Sequence, residues 1–575
     1  MENPTVWRLS FLLSILSLFL LISSCRPSKS DPLFQIDKQA IADKAMVVSA
    51  HPLATKAGLE VMQQGGNAAD AAIAVQFALA VTYPVAGNIG GGGFMIWRDQ
   101  QGQTAALDFR EKAPLAAHRD MYLDSLGNVI KGLSINGHLA AGVPGSVDGM
   151  FKIFDRYSQL KDFPKLINPA IRLAADGFPV TEQQAKRLNR FEEGFRKYNS
   201  TLPVFVKEGG WKAGDLLQQP DLARTLERIR DKGEAGFYEG EVADKIVAEM
   251  KAGGGIMTLE DLKKYDAVWR APVQSQYKGF EIISMPPPSS GGIALTQLLE
   301  IAEEYPLRDW GFHSLQAVHL MTEAERRVYA DRATHLGDAD FYPVPQAQLL
   351  DPAYLLTRME DYTPTQATPS DSILAGNFVP QESEETTHFS IVDAAGNAVS
   401  ITTTINSGYG SKTNVTGAGF ILNNEMDDFS AKPGIPNFYG LIGAEANAIR
   451  PEKRMLSSMT PTIVAKDGQL YMVVGTPGGS TIITSVFQCI LNVVEFGMDM
   501  SASVAAPRFH HQWKPDALQY EAETFSPALL DSLQAKGHAL KERGSIGRVD
   551  AILVQPDGKL EGGADPRGDD HAEGF

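Results

Sequence analysis

Thr386-Thr-His-Phe-Ser-Ile-Val392 and Ala398-Val-Ser-Ile-Thr-Thr-Thr-Ile-Asn406 flank the loop Asp393-Ala-Ala-Gly-Asn397. Two runs rich in β-type residues around a loop containing Gly and Asn predict a hairpin with strands at 386–392 and 398–406. In the second run Val399, Ile401, Thr403 and Ile405 share one face, and Ser400, Thr402, Thr404 and Asn406 share the other. Pairing Val392 with Ala398 sets Thr386 opposite Thr404, with Asn406 two residues further along the same polar face. A bulge would shift that register by one residue.

The chain changes character just before the hairpin. Residues 362–385 (YTPTQATPSDSILAGNFVPQESEE) carry Pro, Ser, Thr and acidic residues with little periodicity, which reads as an exposed, flexible connector. From Thr386 onward the pattern is β-rich, with further strands expected at 461–466 and 470–475. Upstream, from about 41 to 355, helical patterns alternate with Gly- and Pro-rich turns. Ala54–Gln64 reads as a helix stopped by Gly65-Gly66. Asn67 opens an Ala-rich helix that is apolar on nearly every side and therefore buried. Ser314–His335 reads as a long helix with its charges on one face.

A threonine that begins a strand directly after an acidic linker invites a specific chemistry, although on local sequence alone it simply starts a strand. Were the Glu385–Thr386 bond cut, Thr386 would hold both a hydroxyl and a free α-amine. An α-amine titrates at about 7.7–8, so it can serve as general base for its own Oγ without a histidine or a metal.

The whole chain has 575 residues, 43 % of them hydrophobic and 21 % charged, enough for a large buried core. Its net charge of −17 excludes a nucleic-acid partner, which needs a concentrated basic surface. Two cysteines, Cys25 and Cys489, exclude a disulfide framework and a cysteine-rich metal cluster. Residues 1–24 read as an export signal: Arg8 precedes the apolar run Leu9–Ser24, which is short for a membrane span. Leu21-Ile-Ser-Ser-Cys25 resembles the lipobox of bacterial lipoproteins, in which the cysteine becomes a lipidated N-terminus; an ordinary secretory signal is the alternative. Either way the mature protein is exported, as a periplasmic or membrane-anchored protein, with residues 25–40 a polar tether. Cys489, in a mostly apolar run, reads as a buried inert thiol.

From about residue 40 to the C-terminus the sequence resembles the γ-glutamyltranspeptidases (glutathione hydrolases). The resemblance rests on Thr386-Thr-His-Phe-Ser390, Asn423-Asn-Glu-Met-Asp-Asp-Phe-Ser430, Leu456-Ser-Ser-Met459, Gly475-Thr-Pro-Gly-Gly-Ser480 and Pro507-Arg-Phe-His-His-Gln-Trp513. Upstream matches are Gly65-Gly-Asn-Ala-Ala-Asp70, Asn88-Ile-Gly-Gly-Gly-Gly-Phe94, Asp108-Phe-Arg-Glu111, Gly142-Val-Pro-Gly145 and Pro286-Pro-Pro-Ser-Ser-Gly-Gly292. The resemblance implies an N-terminal-nucleophile hydrolase of α+β class with αββα architecture: two stacked central β-sheets flanked by helices. It further implies a precursor that cuts itself between Glu385 and Thr386 into a large chain (41–385) and a small chain (386–575), which stay together as a heterodimer.

The implied substrates are glutathione and other γ-glutamyl compounds, with water, an amino acid or a dipeptide as acceptor. Arg110 matches the family's carboxylate clamp, where a planar guanidinium meets a carboxylate with two parallel hydrogen bonds; Ser457 and Ser458 add hydroxyl donors. Glu425, Asp428 and Asn406 are the implied acceptors for the substrate ammonium. Gly478 and Gly479 supply backbone N–H groups for the oxyanion, and Thr404 orients Thr386. Residues 431–444 resemble a lid loop, with Tyr439 shielding the bound substrate. Gly90–Gly93 fits no phosphate-binding pattern and reads as close backbone packing. His510-His511 lacks a third ligand, so neither a metal nor an organic cofactor is expected. The readings set aside are an acylase for other acyl groups, such as the glutaryl side chain of cephalosporins, and a catalytically silent lipoprotein used as a binding module.

Overall fold

The hairpin forms in the register expected, with Val392 opposite Ala398 and Thr386 opposite Thr404. The computed structural model in which it is seen describes residues 34–373, 386–432 and 444–575. The export signal with Cys25, the Glu385 side of the expected cleavage site and Tyr439 lie outside the described residues. The Asp393 carboxylate closes the turn by accepting from the N–H groups of Ala395 and Asn397 (2.9 and 3.0 Å). Its other oxygen accepts from the N–H of Ala68 at 2.8 Å, which pins the hairpin to the start of the helix Ala68–Thr82. The second strand ends at Thr404, two residues earlier than expected. Asn406 is the reason: its φ of 71° turns the chain out of the sheet.

Two seven-stranded sheets, antiparallel between all neighbours, form the centre of the compact unit Ile36–Phe575. The hairpin sheet runs His571–Gly574, Met46–Ser49, Thr386–Val392, Ala398–Thr404, Gly92–Arg98, Thr104–Asp108, Val268–Arg270. The second sheet runs Gln39–Ala42, Leu560–Ala564, Asp550–Val554, Gln469–Gly475, Thr462–Lys466, Phe280–Ser284, Val273–Tyr277. The alternation of the hairpin decides what covers it. Phe389, Ile391, Val399 and Ile401 pack outward into a core shared with the helices Pro52–Gln63 and Ala68–Thr82. Met46, Val48, Phe94 and Ile96 pack inward against Ile283, Ile463, Val473 and Ile552 of the second sheet. The helices Gly291–Glu303, Leu315–His335 and Thr481–Val494 cover the outer face of the second sheet. The result is the expected αββα sandwich.

The polar face of the hairpin is internal, and the hydroxyls of Ser390, Ser400 and Thr402 on it are bonded. Ser390 Oγ donates to the carbonyl of Asp550 (3.0 Å) and Ser400 Oγ to that of Val474 (3.1 Å), stitching the sheets together. His388 lies between them, bonded to Thr402 and Ser390 (2.9 and 3.0 Å). A Cβ on Gly475 would sit 2.3 Å from its ring, so glycine is required where the second sheet passes it. The Gly90–Gly93 run behaves as expected: a Cβ at Gly91 would meet the Thr404 carbonyl at 2.1 Å. Cys489 is a buried free thiol, pushed up to about 11 by burial. Among the described residues no helix is long and apolar enough to cross a membrane.

One expectation is corrected. The helix Leu315–His335 has no solvated charged face: Glu323, Glu325, Arg326, Arg327, Asp331 and Arg332 are all buried. Arg327 bridges Glu323 (2.7 Å) and Asp361 (2.6 Å), Arg326 pairs with Asp516, and Glu325 accepts from the N–H of His511 (2.8 Å). At about 100° per residue these positions spread around the helix, so no single exposed face could hold them. Of the connector expected at 362–385, the described part 362–373 is exposed at most positions, as expected, and backbone bonds tie it to this helix and its neighbours. Thr368 N–H donates to Glu323 (3.1 Å), Ser370 N–H to Asp516 (2.8 Å) and Ala367 N–H to the Lys536 carbonyl (2.7 Å). Those buried charges need partners, and this segment supplies some of them.

Candidate active site

The hairpin strands end at one edge of the sandwich, and the open end of their polar face forms the wall of a pocket. Nine of the residues singled out from sequence line it: Arg110, Thr386, Thr404, Asn406, Glu425, Asp428, Ser457, Ser458 and Gly479. Gly478 lines an adjoining pocket, which shares Thr386 with the first. Thr386 Oγ1 lies 3.4 Å from Thr404 Oγ1, longer than a formed O–H···O bond. Thr404 Oγ1 accepts from the N–H of Asn406 at 2.7 Å, which fixes it toward Thr386. The strand end itself is held by Asn88, whose amide donates to the Thr404 carbonyl at 2.9 Å and whose oxygen accepts from Ser146 Oγ at 2.6 Å.

Arg110 follows the strand Thr104–Asp108 and is only 1 % exposed. Its guanidinium forks between Glu425 (2.8 Å) and Asp428 (2.6 Å) and also donates to the Leu456 carbonyl (3.2 Å). Glu425 and Asp428 stand at the two ends of one short 3-10 turn, which is how three-residue spacing brings both to a single cation. Asn447 ties that turn to the segment bearing the two serines: its amide donates to the Asp428 carbonyl (2.7 Å) and its oxygen accepts from the Leu456 N–H (3.0 Å). Asn406 donates to the Asn424 carbonyl (2.9 Å), which sets the plane of its own amide beside the turn.

The electrostatics are those of a charged pocket taken out of water. Burial pushes the carboxyls of Glu425 and Asp428 above the usual range despite Arg110, and pushes Glu111, 3.9 Å from the same guanidinium, up to about 8. Burial alone would lower Arg110, but Glu425, Asp428 and Glu111 together hold it above its ordinary value. A zwitterionic amino-acid head entering here can exchange its carboxylate for theirs on Arg110 and offer them its ammonium instead.

Gly478 and Gly479 have φ of 139° and 54°, conformations that favour glycine. They stand just before Ser480, the N-cap of the helix Thr481–Val494, whose first residue donates back to the Gly478 carbonyl at 3.0 Å. Backbone N–H groups at such a helix start sit in the positive end of its dipole, a fitting place for an oxyanion.

Sequence reasoning missed three participants. Arg332 lines the pocket and donates to Ser458 Oγ and Ser290 Oγ, both at 2.9 Å. Its signal was the spread of charges around its helix. Asn447 and Asn88 left no signal beyond the motif that contains the latter. For metals, the described residues offer one group, His319, Glu323 and His538, with ligand-type atoms within 4.8 Å of one another. Glu323 is already held by Arg326, Arg327 and the Thr368 N–H, so the group reads as a hydrogen-bonded cluster. His510 and His511 bond to Thr484, Gln512 and Asp516.

Comparison with known proteins gives a consistent picture. A family model described as Gamma-glutamyltranspeptidase matches residues 54–575. The chain is 48 % identical over 537 residues to a glutathione hydrolase proenzyme of Pseudomonas sp. (strain A14), covering 92 % of this chain and 93 % of that one. It is 46 % identical over 537 residues to the glutathione hydrolase proenzyme of Escherichia coli (strain K12), covering 93 % and 92 %. Among solved structures, a cephalosporin acylase from Bacillus halodurans superimposes with a TM-score of 0.82 at 25 % identity, over 96 % of this chain and 99 % of that one.

Proposed function

The chain belongs to the γ-glutamyltranspeptidase family, and on that premise we propose that it is made as a precursor, cuts itself before Thr386 and then cleaves γ-glutamyl amides such as glutathione. One observation carries the reading: Thr386 and the Arg110–Glu425–Asp428 cluster line the same pocket. A nucleophile beside a site for a zwitterion is what a γ-glutamyl donor requires. In self-cleavage Oγ of Thr386 attacks the Glu385 carbonyl, the C–N bond breaks to leave an ester and the free α-amine of Thr386, and water then hydrolyses the ester to release the Glu385 carboxylate and the Thr386 hydroxyl. The α-amine then takes the Oγ proton as the hydroxyl attacks the γ-carbonyl of the donor. Arg110, Ser457 and Ser458 bind the donor α-carboxylate, while Glu425, Asp428 and Asn406 accept from its ammonium. Gly478 and Gly479 stabilise the oxyanion and Thr404 orients the nucleophile. The leaving amine departs with the proton, and the acyl-enzyme passes its γ-glutamyl group to water, an amino acid or a dipeptide.

The acylase reading receives weight from the cephalosporin acylase likeness, but a glutaryl group lacks the α-ammonium that Glu425 and Asp428 are set to accept. The silent-module reading is at odds with the intact pairing of Thr386 and Thr404. Processing leaves a heterodimer of residues up to 385 and from 386. Export through the N-terminal signal, lipidation of Cys25 and shielding of the donor by Tyr439 complete the proposal. The test is incubation of purified protein with L-γ-glutamyl-p-nitroanilide beside intact-mass measurement. Nitroaniline release by a two-chain product beginning at Thr386 is expected. A correctly cut sample that releases none would overturn the assignment.

A further inference from the structure

A guanidinium carries N–H donors and no acceptor, so a hydroxyl that it bonds must accept and keeps its own proton for another partner. Arg332, in the last turn of the helix Leu315–His335, lines the Thr386 pocket and is only 3 % exposed. It meets two hydroxyls, Ser290 Oγ through Nε and Ser458 Oγ through Nη2, both at 2.9 Å. Ser290 Oγ donates in turn to the Ser457 carbonyl (2.7 Å), and the Ser290 N–H donates to the same oxygen (2.8 Å). Ser289 Oγ holds the Met459 carbonyl at 2.6 Å, and Arg110 donates to the Leu456 carbonyl at 3.2 Å. Two arginines from different elements therefore grip the segment 456–459 on which the two pocket serines stand.

Those serines are left in the same state. Ser458 Oγ accepts from Arg332, and Ser457 Oγ accepts from the Met459 N–H at 3.1 Å. Both line the pocket beside Arg110, and among the described residues neither hydroxyl proton has an acceptor. A hydroxyl that accepts from a cation is also polarised into a stronger donor. Arg332, buried and bonded to two serines, reaches a ligand through Ser458.

We propose that Arg332 is a positioning residue for recognition of the donor: it commits Ser458 Oγ to accept, so that the Ser458 proton is kept for the α-carboxylate of the γ-glutamyl group. The inference deepens the γ-glutamyl reading above and rests on it. Arg110 meets that carboxylate as a charge, and Arg332 meets it through a hydroxyl.

The experiment is a double-mutant cycle on processed full-length protein, with L-γ-glutamyl-p-nitroanilide as donor and water as acceptor. Arg332→Met removes the donors while keeping an unbranched side chain. It should raise the KM for the donor by about tenfold or more, the size of one hydrogen bond to a charged group, with a smaller fall in kcat. Ser458→Ala should raise KM alike. The double variant should be no more than about twofold worse than Ser458→Ala, because the route through that hydroxyl is already gone. Arg332→Lys, which keeps a cationic donor, should recover part of the lost affinity. An unchanged KM in either single variant, or an Arg332→Met loss that persists in full beside Ser458→Ala, would overturn the inference while leaving donor cleavage intact. If Arg332→Met stays uncut, Arg332→Lys combined with Ser458→Ala decides on the same criteria. A wild type that releases no nitroaniline overturns the γ-glutamyl reading, and this inference with it.

Discussion

Arg110 is held by Glu425 and Asp428 at 2.8 and 2.6 Å, with Glu425 fully buried and Asp428 only 13 % exposed. A lysine there can satisfy one carboxylate as a point charge but cannot fork to both or meet an incoming carboxylate bidentately. Arg110→Lys should therefore raise the KM for the γ-glutamyl donor by about 10–100-fold, the worth of one charge-assisted hydrogen bond. Saturating rates should fall less, because the head group is bound alike in ground and transition states. An unchanged KM would show that Arg110 does not touch the donor. Thr386 makes a sharper case, since one hydroxyl serves both self-cleavage and turnover. Thr386→Ala should give one uncut chain without activity, and a processed two-chain product from that variant would refute the assignment. At this scale the sequence was informative where a motif names chemistry, as in Asp108-Phe-Arg-Glu111. It was mute where a residue acts by holding another, as Asn447 does through backbone groups of Asp428 and Leu456.

Among the elements, the hairpin was legible almost entirely, because alternation and loop length are local properties. What could not be read was that its polar face is buried between two sheets, since that depends on strands more than seventy residues away (Val474, Asp550). The same limit misled the reading of Leu315–His335: charge composition resembles a solvated face, and only the segments packed over it make those charges internal. Burial between the sheets gives His388 a testable pH behaviour. Desolvation pushes it down to about 3, whereas in an unfolded chain it titrates near 6.5. Between those values the unfolded state takes up a proton that the folded state refuses. The contribution of His388 to stability is thus full above about pH 6.5 and declines by up to about 1.4 kcal/mol per unit as pH falls toward 3. His388→Gln, which can still bond Thr402 and Ser390, removes that one proton. Thermal melts at pH 7 and pH 5 should show a smaller acid-induced drop in Tm for the variant, and equal drops would exclude the neutral buried ring.

For the whole molecule, the proposed cut at 385/386 raises the question of whether two chains remain one particle. The topology answers it. In the hairpin sheet, Met46–Ser49 lies between His571–Gly574 and Thr386–Val392, and Ala398–Thr404 pairs with Gly92–Arg98. In the second sheet, Gln39–Ala42 pairs with Leu560–Ala564 and Thr462–Lys466 with Phe280–Ser284. Five strand pairings thus join sequence before the cut to sequence after it, and the cores on both sides of each sheet mix residues from the two parts. Separation would expose these edges and apolar faces together, so dissociation and unfolding must be one event. The processed protein should elute from a sizing column as a single species of precursor size while giving two bands on a denaturing gel. In a urea titration, loss of that species should coincide with loss of far-ultraviolet circular dichroism. Two separate peaks at a urea concentration where the dichroism is still native would contradict the interleaved sheets.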